Sequence, residues 1–428
     1  MSCNPYQLPS RYPVNSTDYL LLLFHRKLLK RNKTGNIVRT VLYSESVFPE
    51  EEIKASLTNN TLLQWLNSYS IENDFWGSPR YWIIGSMPVS VGYETVYSSN
   101  DEIPDSVLNF ALDTEGKGLF YLHRIIFKTG GSALVLSVNH CFTDFRGVQM
   151  LVNILVGNFQ YESVANWLSS PDIVPTFSVK LKESLKIVGF ILQTILRKVA
   201  VIGNRSLSKT GNCFRVRQFS EAISAEMDKQ IEAEGLSLQP NIFFLAKTID
   251  AFQNATLIHS KSGLLWVTMP MDSRKIGVVG QLLGNSLWFL FYRLEMGNLG
   301  LETSSLSGHI AKIKGQTLDQ LKRNLPKKYA IMASWWKNLP LPVYNLFVQM
   351  PALGKVSSLS FSNLGNTFPD LNEAFGCSIT NIVNYPSNPS PPGIGVVVMK
   401  RKGKYSIVLS WGEDLIALEL AERVLHEW

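Results

Sequence analysis

The chain has 428 residues, 45% of them hydrophobic and 18% charged, and a formal net charge of +7. That length exceeds the roughly 250 to 300 residues at which one hydrophobic core stops growing, so two lobes are expected, and the composition excludes a disordered or low-complexity chain. The positive surface suits an acidic partner, but no zinc-finger, basic-zipper or RNA-reading aromatic pattern accompanies it, so nucleic acid is not the expected one.

The first residues lack the charged, apolar and cleavable pattern of a secretory signal. Asn15-Ser16-Thr17-Asp18 reads as a helix cap, and the apolar run 19–24 is far short of the roughly 20 residues that span a bilayer. Cys3, Cys141, Cys213 and Cys377 lie far apart without metal-ligand spacing. No metal site and a reducing cytoplasm are therefore expected.

Residues 119–127 and 133–138 read as two buried strands joined by a turn at Thr129-Gly130-Gly131. His140 then stands at a strand end. Val148, Leu151, Val152 and Leu155 follow at helical spacing. Between Pro175 and Thr210 a long helix is expected, with an apolar stripe of Leu185, Val188, Leu192, Leu196 and Val199 and basic residues elsewhere.

Helical patterning is read from Phe214 through Phe252, then strands at 264–269 and 287–294. Trp335-Trp336 and the apolar stretch 339–350 suit either core packing or a lipid surface. A hairpin of 395–399 with 405–411 turns at Lys400-Arg401-Lys402-Gly403, and a short helix ends the chain.

His140 and Asp144, four residues apart on a strand-to-helix connection, suit an imidazole kept in one orientation beside a buried anion. The segment Asn139-His140-Cys141-Phe142-Thr143-Asp144 resembles the His-x-x-x-Asp motif of the superfamily that unites chloramphenicol acetyltransferase, alcohol acyltransferases, wax ester synthases and nonribosomal peptide condensation domains. Asn15-Ser16-Thr17-Asp18 is similar to the family's short Asp-bearing opening as well as to a helix cap, and two further segments follow in family order. Met269-Pro270-Met271-Asp272-Ser273-Arg274 with Gly284-Asn285 is similar to the family's strand, arginine and Gly-Asn segment, and Ser360-Phe361-Ser362-Asn363-Leu364-Gly365 is similar to its Ser-Asn-Leu-Gly segment.

The resemblance implies an α/β fold of two chloramphenicol-acetyltransferase-like lobes, each a mixed sheet with flanking helices, with an active-site tunnel between them. The expected division is an N-terminal lobe at 1–175, a crossover at 176–212 and a C-terminal lobe at 213–428. The implied activity is transfer of an acyl group from a coenzyme A or carrier-protein thioester to a hydroxyl acceptor, with His140 as general base. Asp144, Arg274 and Asn285 would support the site, and Ser362 and Asn363 would supply oxyanion or substrate contacts. No cofactor is bound permanently; acyl-CoA or acyl-phosphopantetheine serves as co-substrate.

Two positions depart from the pattern. Asn139 replaces a histidine found in many relatives, and Phe145 replaces the glycine after the aspartate, where its bulk would narrow the donor's path. The partners implied are an acyl thioester and a hydroxyl or amine acceptor, with an acyl carrier protein and an anionic membrane surface as additional candidates. A monomer is expected. The alternatives are an amide-forming condensation-like enzyme and a non-catalytic docking protein on the same scaffold. Serine hydrolases, P-loop enzymes, dinucleotide-binding proteins and zinc proteases lose ground for want of their motifs.

Overall fold

The computed structural model describes residues 6–31, 34–112, 118–158, 168, 176–195, 199–200, 202, 211–255, 262–274, 283–297, 305–349, 357–388 and 393–428. The chain opens with β1 (Arg11–Pro13), α1 (Ser16–Arg31), β2 (Ile37–Ser44), α2 (Glu50–Asn59), α3 (Thr61–Asn67), β3 (Tyr69–Asn73), β4 (Pro79–Ile84) and β5 (Gly92–Tyr97). Next come α4 (Asp105–Leu108), β6 (Phe120–Ile126), β7 (Ser132–Asn139) and α5 (Phe145–Leu155). The middle runs α6 (Phe177–Ile195), β8 (Asn212–Gln218), α7 (Glu221–Ala233), α8 (Pro240–Asn254), β9 (Ser262–Asp272) and β10 (Leu287–Gly297). Then follow α9 (Leu306–Lys322), α10 (Leu325–Trp336), α11 (Leu341–Gln349) and β11 (Leu359–Asn366). Short strands β12 (Glu373–Ala374) and β13 (Cys377–Ser378) precede β14 (Asn381–Tyr385), β15 (Ile394–Arg401), β16 (Lys404–Gly412) and α12 (Leu418–Glu427).

These elements form two compact units that are not sequential. The first comprises Met1–Pro171, Ser273–Ser286 and Phe368–Ser387; the second comprises Asp172–Asp272, Leu287–Thr367 and Asn388–Trp428. From the sequence, everything beyond 212 was expected in the second lobe. The division differs because β14 completes the first unit's sheet by pairing with β2, and because segment 273–286 hydrogen-bonds to the start of α5.

The first unit's main sheet has the order β14-β2-β7-β6-β5, antiparallel except for the parallel pair β5 and β6. β7, Ser-Ala-Leu-Val-Leu-Ser-Val-Asn, is buried along its whole length, as a central strand covered on both faces must be. Strands β6 and β7 match the two expected, and Gly130 takes φ +99° at the turn between them. In α5 the expected stripe of Val148, Leu151, Val152 and Leu155 is buried.

Asn67, at the end of α3, fixes where β6 begins. Its Oδ1 accepts from the backbone N–H groups of Leu119 at 2.7 Å and Phe120 at 2.9 Å, while its Nδ2 donates to the carbonyls of Val89 and Ser90. One buried amide thus satisfies four backbone groups that no ladder reaches.

The second unit carries a sheet of order β10-β9-β11-β15-β16-β8, with β11 parallel to both neighbours. Phe243, Phe244 and Phe252 of α8 pack with Val396, Val398, Leu409 and Trp411 of the sheet in its core. The β15–β16 hairpin is as expected: Arg401 pairs with Lys404, and the two-residue loop Lys402-Gly403 has φ of +47° and +78°, suiting the twist of the strands it joins.

Two expectations fail here. Residues 212–218 form strand β8, because Phe214 and its neighbours pair with β16 rather than beginning a helix. The long helix also packs on a different face: Ser184 and Ile187 of α6 are buried while Leu185 is 62% exposed, and Val199 forms an isolated bridge with Leu264 instead of extending the helix. Ile187 is recruited by Leu325 and Met332 of α10. Leu192 and Leu196 lie outside the residues whose side chains are described.

Replacing Asn67 by Ala is expected to lower stability by about 2–4 kcal/mol, because buried donors and acceptors lose their partner together. Urea unfolding checks this: the midpoint should fall with little change in slope.

Candidate active site

The chain leaves the central sheet at Asn139. Beyond it, the His140 N–H donates to the Asn36 carbonyl at 2.9 Å, and the Phe142 N–H turns back to the Asn139 carbonyl at 3.0 Å. The Asn139 side chain closes the same turn, its Oδ1 accepting from the Cys141 N–H at 3.0 Å. Asn139, the first departure from the motif, therefore has local structural work.

Phe142 anchors the loop from below. Its ring lies edge-on to Trp82 at 5.3 Å and contacts Tyr69 and Phe120, each at 5.8 Å, all buried. Aromatic pairs at such separations add to the area they bury. Cys141 is also sealed, and burial pushes its thiol well above the ordinary range, so it is no nucleophile for the neighbouring histidine.

Asp144 anchors the loop from above. As the N-cap of α5 it accepts the Arg146 and Gly147 N–H groups through Oδ1, at 3.1 and 3.2 Å. The Arg274 guanidinium adds a two-pronged pair, Nη1 to Oδ2 and Nη2 to Oδ1, both at 2.9 Å, and the Ser286 N–H donates to Oδ2 at 2.9 Å. Both charged side chains are 2% exposed. Five N–H groups so surround the carboxylate that its lone pairs face away from chemistry.

Residues 283–286 are held to this loop by more than the ion pair. Asn285 Nδ2 donates to the carbonyls of His140 at 3.1 Å and Cys141 at 2.9 Å, and to Asp18 Oδ1 at 3.0 Å. Asp18 in turn accepts from Trp82 Nε1 at 3.1 Å and exchanges hydrogen bonds with Asn15. The expected helix cap is real, and its aspartate is also a buried strut beneath the loop. The Thr143 hydroxyl donates to the Leu283 carbonyl, and a methyl added at Gly147 would overlap both groups. Gly147 therefore permits the close approach of 283 to the start of α5.

His140 itself is partly exposed, and its Nδ1 lies 2.9 Å from the Thr143 carbonyl oxygen. A carbonyl only accepts, so the neutral ring carries its proton on Nδ1 and presents a lone pair at Nε2. Burial lowers its pKa from 6.5, against the opposing effects of the Thr143 carbonyl and the Asp144 charge, which favours the neutral ring at pH 7.

The trichothecene 15-O-acetyltransferase of Fusarium sporotrichioides aligns over 99% of this chain and 96% of its own, with a TM-score of 0.71 at 10% identity. The first condensation domain of the calcium-dependent antibiotic synthetase, solved with a substrate analogue, aligns over 97% and 95% at a TM-score of 0.65 and 12% identity. The chain shares their fold. The epimerization domain from the third module of tyrocidine synthetase B shares it as well, over 98% and 95%, at 0.65 and 13%. Those names span acetyl transfer, condensation and epimerization, so the shared fold does not decide the chemistry. No family model matches the chain, and no curated protein matches it by sequence.

Of the residues singled out in the sequence, the first unit of this fold brings together His140, Asp144, Arg274 and Asn285. Phe145 opens α5, half-buried, its ring edge-on at 6.2 Å to Phe368, a buried residue at φ +46°. Ser362 and Asn363 lie on β11 in the second unit, paired with Val397 and Val398 of β15 just before a register irregularity where Gly365 takes φ +66°. Asn363 is engaged there, donating to Asn241 and accepting from the Gly365 N–H. Among the described residues no cluster of three or more His, Cys, Asp or Glu suits a metal ion. His123 is buried between Phe110 and Tyr121 with its pKa lowered to about 4, first by desolvation and then by Arg39. Sequence reasoning passed over Phe142, Thr143 and Trp82.

Arg274→Met leaves the Asp144 charge buried without its counterion and is expected to cost about 3–5 kcal/mol. Combining it with Asp144→Asn should cost less than the sum of the two single changes, and a double-mutant cycle by chemical denaturation measures the coupling. Gly147→Ala should also unfold at markedly lower denaturant, since backbone lies on the far side of the clash.

Proposed function

We propose that the protein is an acyltransferase that moves an acyl group from a coenzyme A or carrier-protein thioester to a hydroxyl acceptor, with His140 as general base. The observation that carries this reading is the fixed tautomer of His140: a partly exposed imidazole, pinned at Nδ1 by a main-chain carbonyl, with its basic nitrogen at Nε2. The likeness in fold to an acetyltransferase and a condensation domain supports it.

In the proposed reaction Nε2 takes the acceptor's hydroxyl proton as the oxygen attacks the thioester carbonyl carbon. The tetrahedral oxyanion collapses, the carbon–sulfur bond breaks, and the imidazolium returns the proton to the departing thiolate. No covalent acyl-enzyme forms. Asp144 takes no proton in this scheme because Arg274 and three backbone N–H groups already occupy it. Its work is to hold the loop and, with Arg274 and Asn285, the orientation of the ring.

Ser362 and Asn363 are proposed as substrate or oxyanion contacts; with Asn363 engaged by Asn241, Ser362 is the preferred donor. A hydroxyl acceptor is preferred to an amine on the resemblance of 360–365 to wax ester and alcohol acyltransferases. The Phe145–Phe368 contact favours a second reading, a docking protein on the same scaffold whose donor path is closed.

His140→Ala is expected to reduce turnover by about 10²- to 10⁴-fold while unfolding at an unchanged denaturant midpoint. Mass spectrometry with a panel of acyl thioesters and alcohol or amine acceptors reads this directly; undiminished turnover removes the mechanism, and no product with any thioester favours the docking reading. Because the base must be unprotonated, the rate should rise with pH through a value below 6.5 and level off by neutrality, the direction set by the burial of His140.

A further inference from the structure

The β3–β4 hairpin ends in a tip that keeps two aromatic side chains in water. Phe75 is 94% exposed and Trp76 71% exposed, and their rings meet edge-on at 5.5 Å. The tip is firmly built. Asp74 Oδ1 accepts the N–H groups of Trp76 and Ser78, each at 2.9 Å, its other oxygen pairs with Arg80 at 2.7 Å, and its own N–H donates to the Ser78 carbonyl at 2.9 Å. A loop so constrained holds the rings outward instead of letting them fold back onto the protein.

A basic helix supports it. Arg26 of α1 donates to the Gly77 carbonyl at 2.7 Å and to Asn73 Oδ1 at 2.6 Å, which sets the last turns of α1 beside the hairpin. Lys30, exposed, lies one turn further along the same face. The acids of the hairpin, Glu72 and Asp74, are matched by Arg11 and Arg80, so Arg26 and Lys30 leave the region net positive. Aromatic residues at a loop tip with cations behind them fit the chemistry of a bilayer interface, where rings settle at the headgroup boundary and cations meet anionic lipid.

We propose that this tip is a membrane-contact element: Phe75 and Trp76 insert at the interface of an anionic bilayer while Arg26 and Lys30 face its headgroups. Trp335-Trp336, which the sequence left open between core packing and a lipid surface, is less suited to this role, since Trp336 packs on Phe347 within the second unit. Two aromatic side chains anchor weakly, so the contact is reversible and needs the charge as well. The proposal does not rest on the catalytic reading.

Co-sedimentation of the full chain with vesicles of phosphatidylcholine, alone or mixed with phosphatidylglycerol, tests it. Binding to the mixed vesicles is expected at low salt, weakening as salt screens the cations, and at least tenfold weaker to phosphatidylcholine alone. Phe75→Ser with Trp76→Ser, and separately Lys30→Glu, should each reduce binding to mixed vesicles at least fivefold with an unchanged circular dichroism spectrum. Failure to sediment with mixed vesicles at low salt overturns the proposal, as does binding indifferent to the serine pair. A self-associated species in sedimentation velocity that the serine pair dissolves would assign the tip to a protein contact instead.

Discussion

The buried carboxylate of Asp144 is the point on which the geometry of the His140 loop depends. It ends a strand connection, starts a helix, and receives Arg274 and Ser286 from a segment more than a hundred residues away. Taking such a pair out of water costs free energy that its mutual attraction repays only with good geometry, and here the two-pronged contact and three backbone donors provide it. The arrangement gives orientation in return: the loop between Asn139 and Asp144 is held along its length, and the Thr143 carbonyl that meets the His140 ring belongs to it.

That loop is clamped by opposite kinds of force. Phe142 buries its ring among Trp82, Tyr69 and Phe120, while Asn285 and Asp18 gather the polar main chain on the other side. Trp82 belongs to both systems, since its ring faces Phe142 and its N–H reaches Asp18. The partly exposed imidazole is thus mounted on a rigid support, which the base proposed here needs if its lone pair is to meet an acceptor in one direction.

Local pattern made much of this legible. The apolar runs leading to β6 and β7, the helical stripe of α5 and the Lys402-Gly403 hairpin are all short-range signals, and the motif order pointed to Arg274 and Asn285 before any contact was visible. What failed had long-range causes. Strand β8 alternates over a short window beside two true helices, and its pairing partner β16 lies near the other end of the chain. The buried face of α6 was chosen by α10, which selected Ile187 over Leu185. Thr143 and Gly147 carry no pattern of their own; only the approach of Leu283 gives them meaning.

The interrupted composition of the first unit has a consequence for synthesis. Its sheet lacks the edge strand β14 until residue 385 has been made, and Asp144 waits 130 residues for Arg274. At roughly 5–20 residues per second, that interval is on the order of ten seconds on the ribosome. Throughout it the nascent His140 loop holds an acid with no counterion and a sheet with an open edge. The unit that is started first is therefore complete only at Ser387, after most of the second unit has been made.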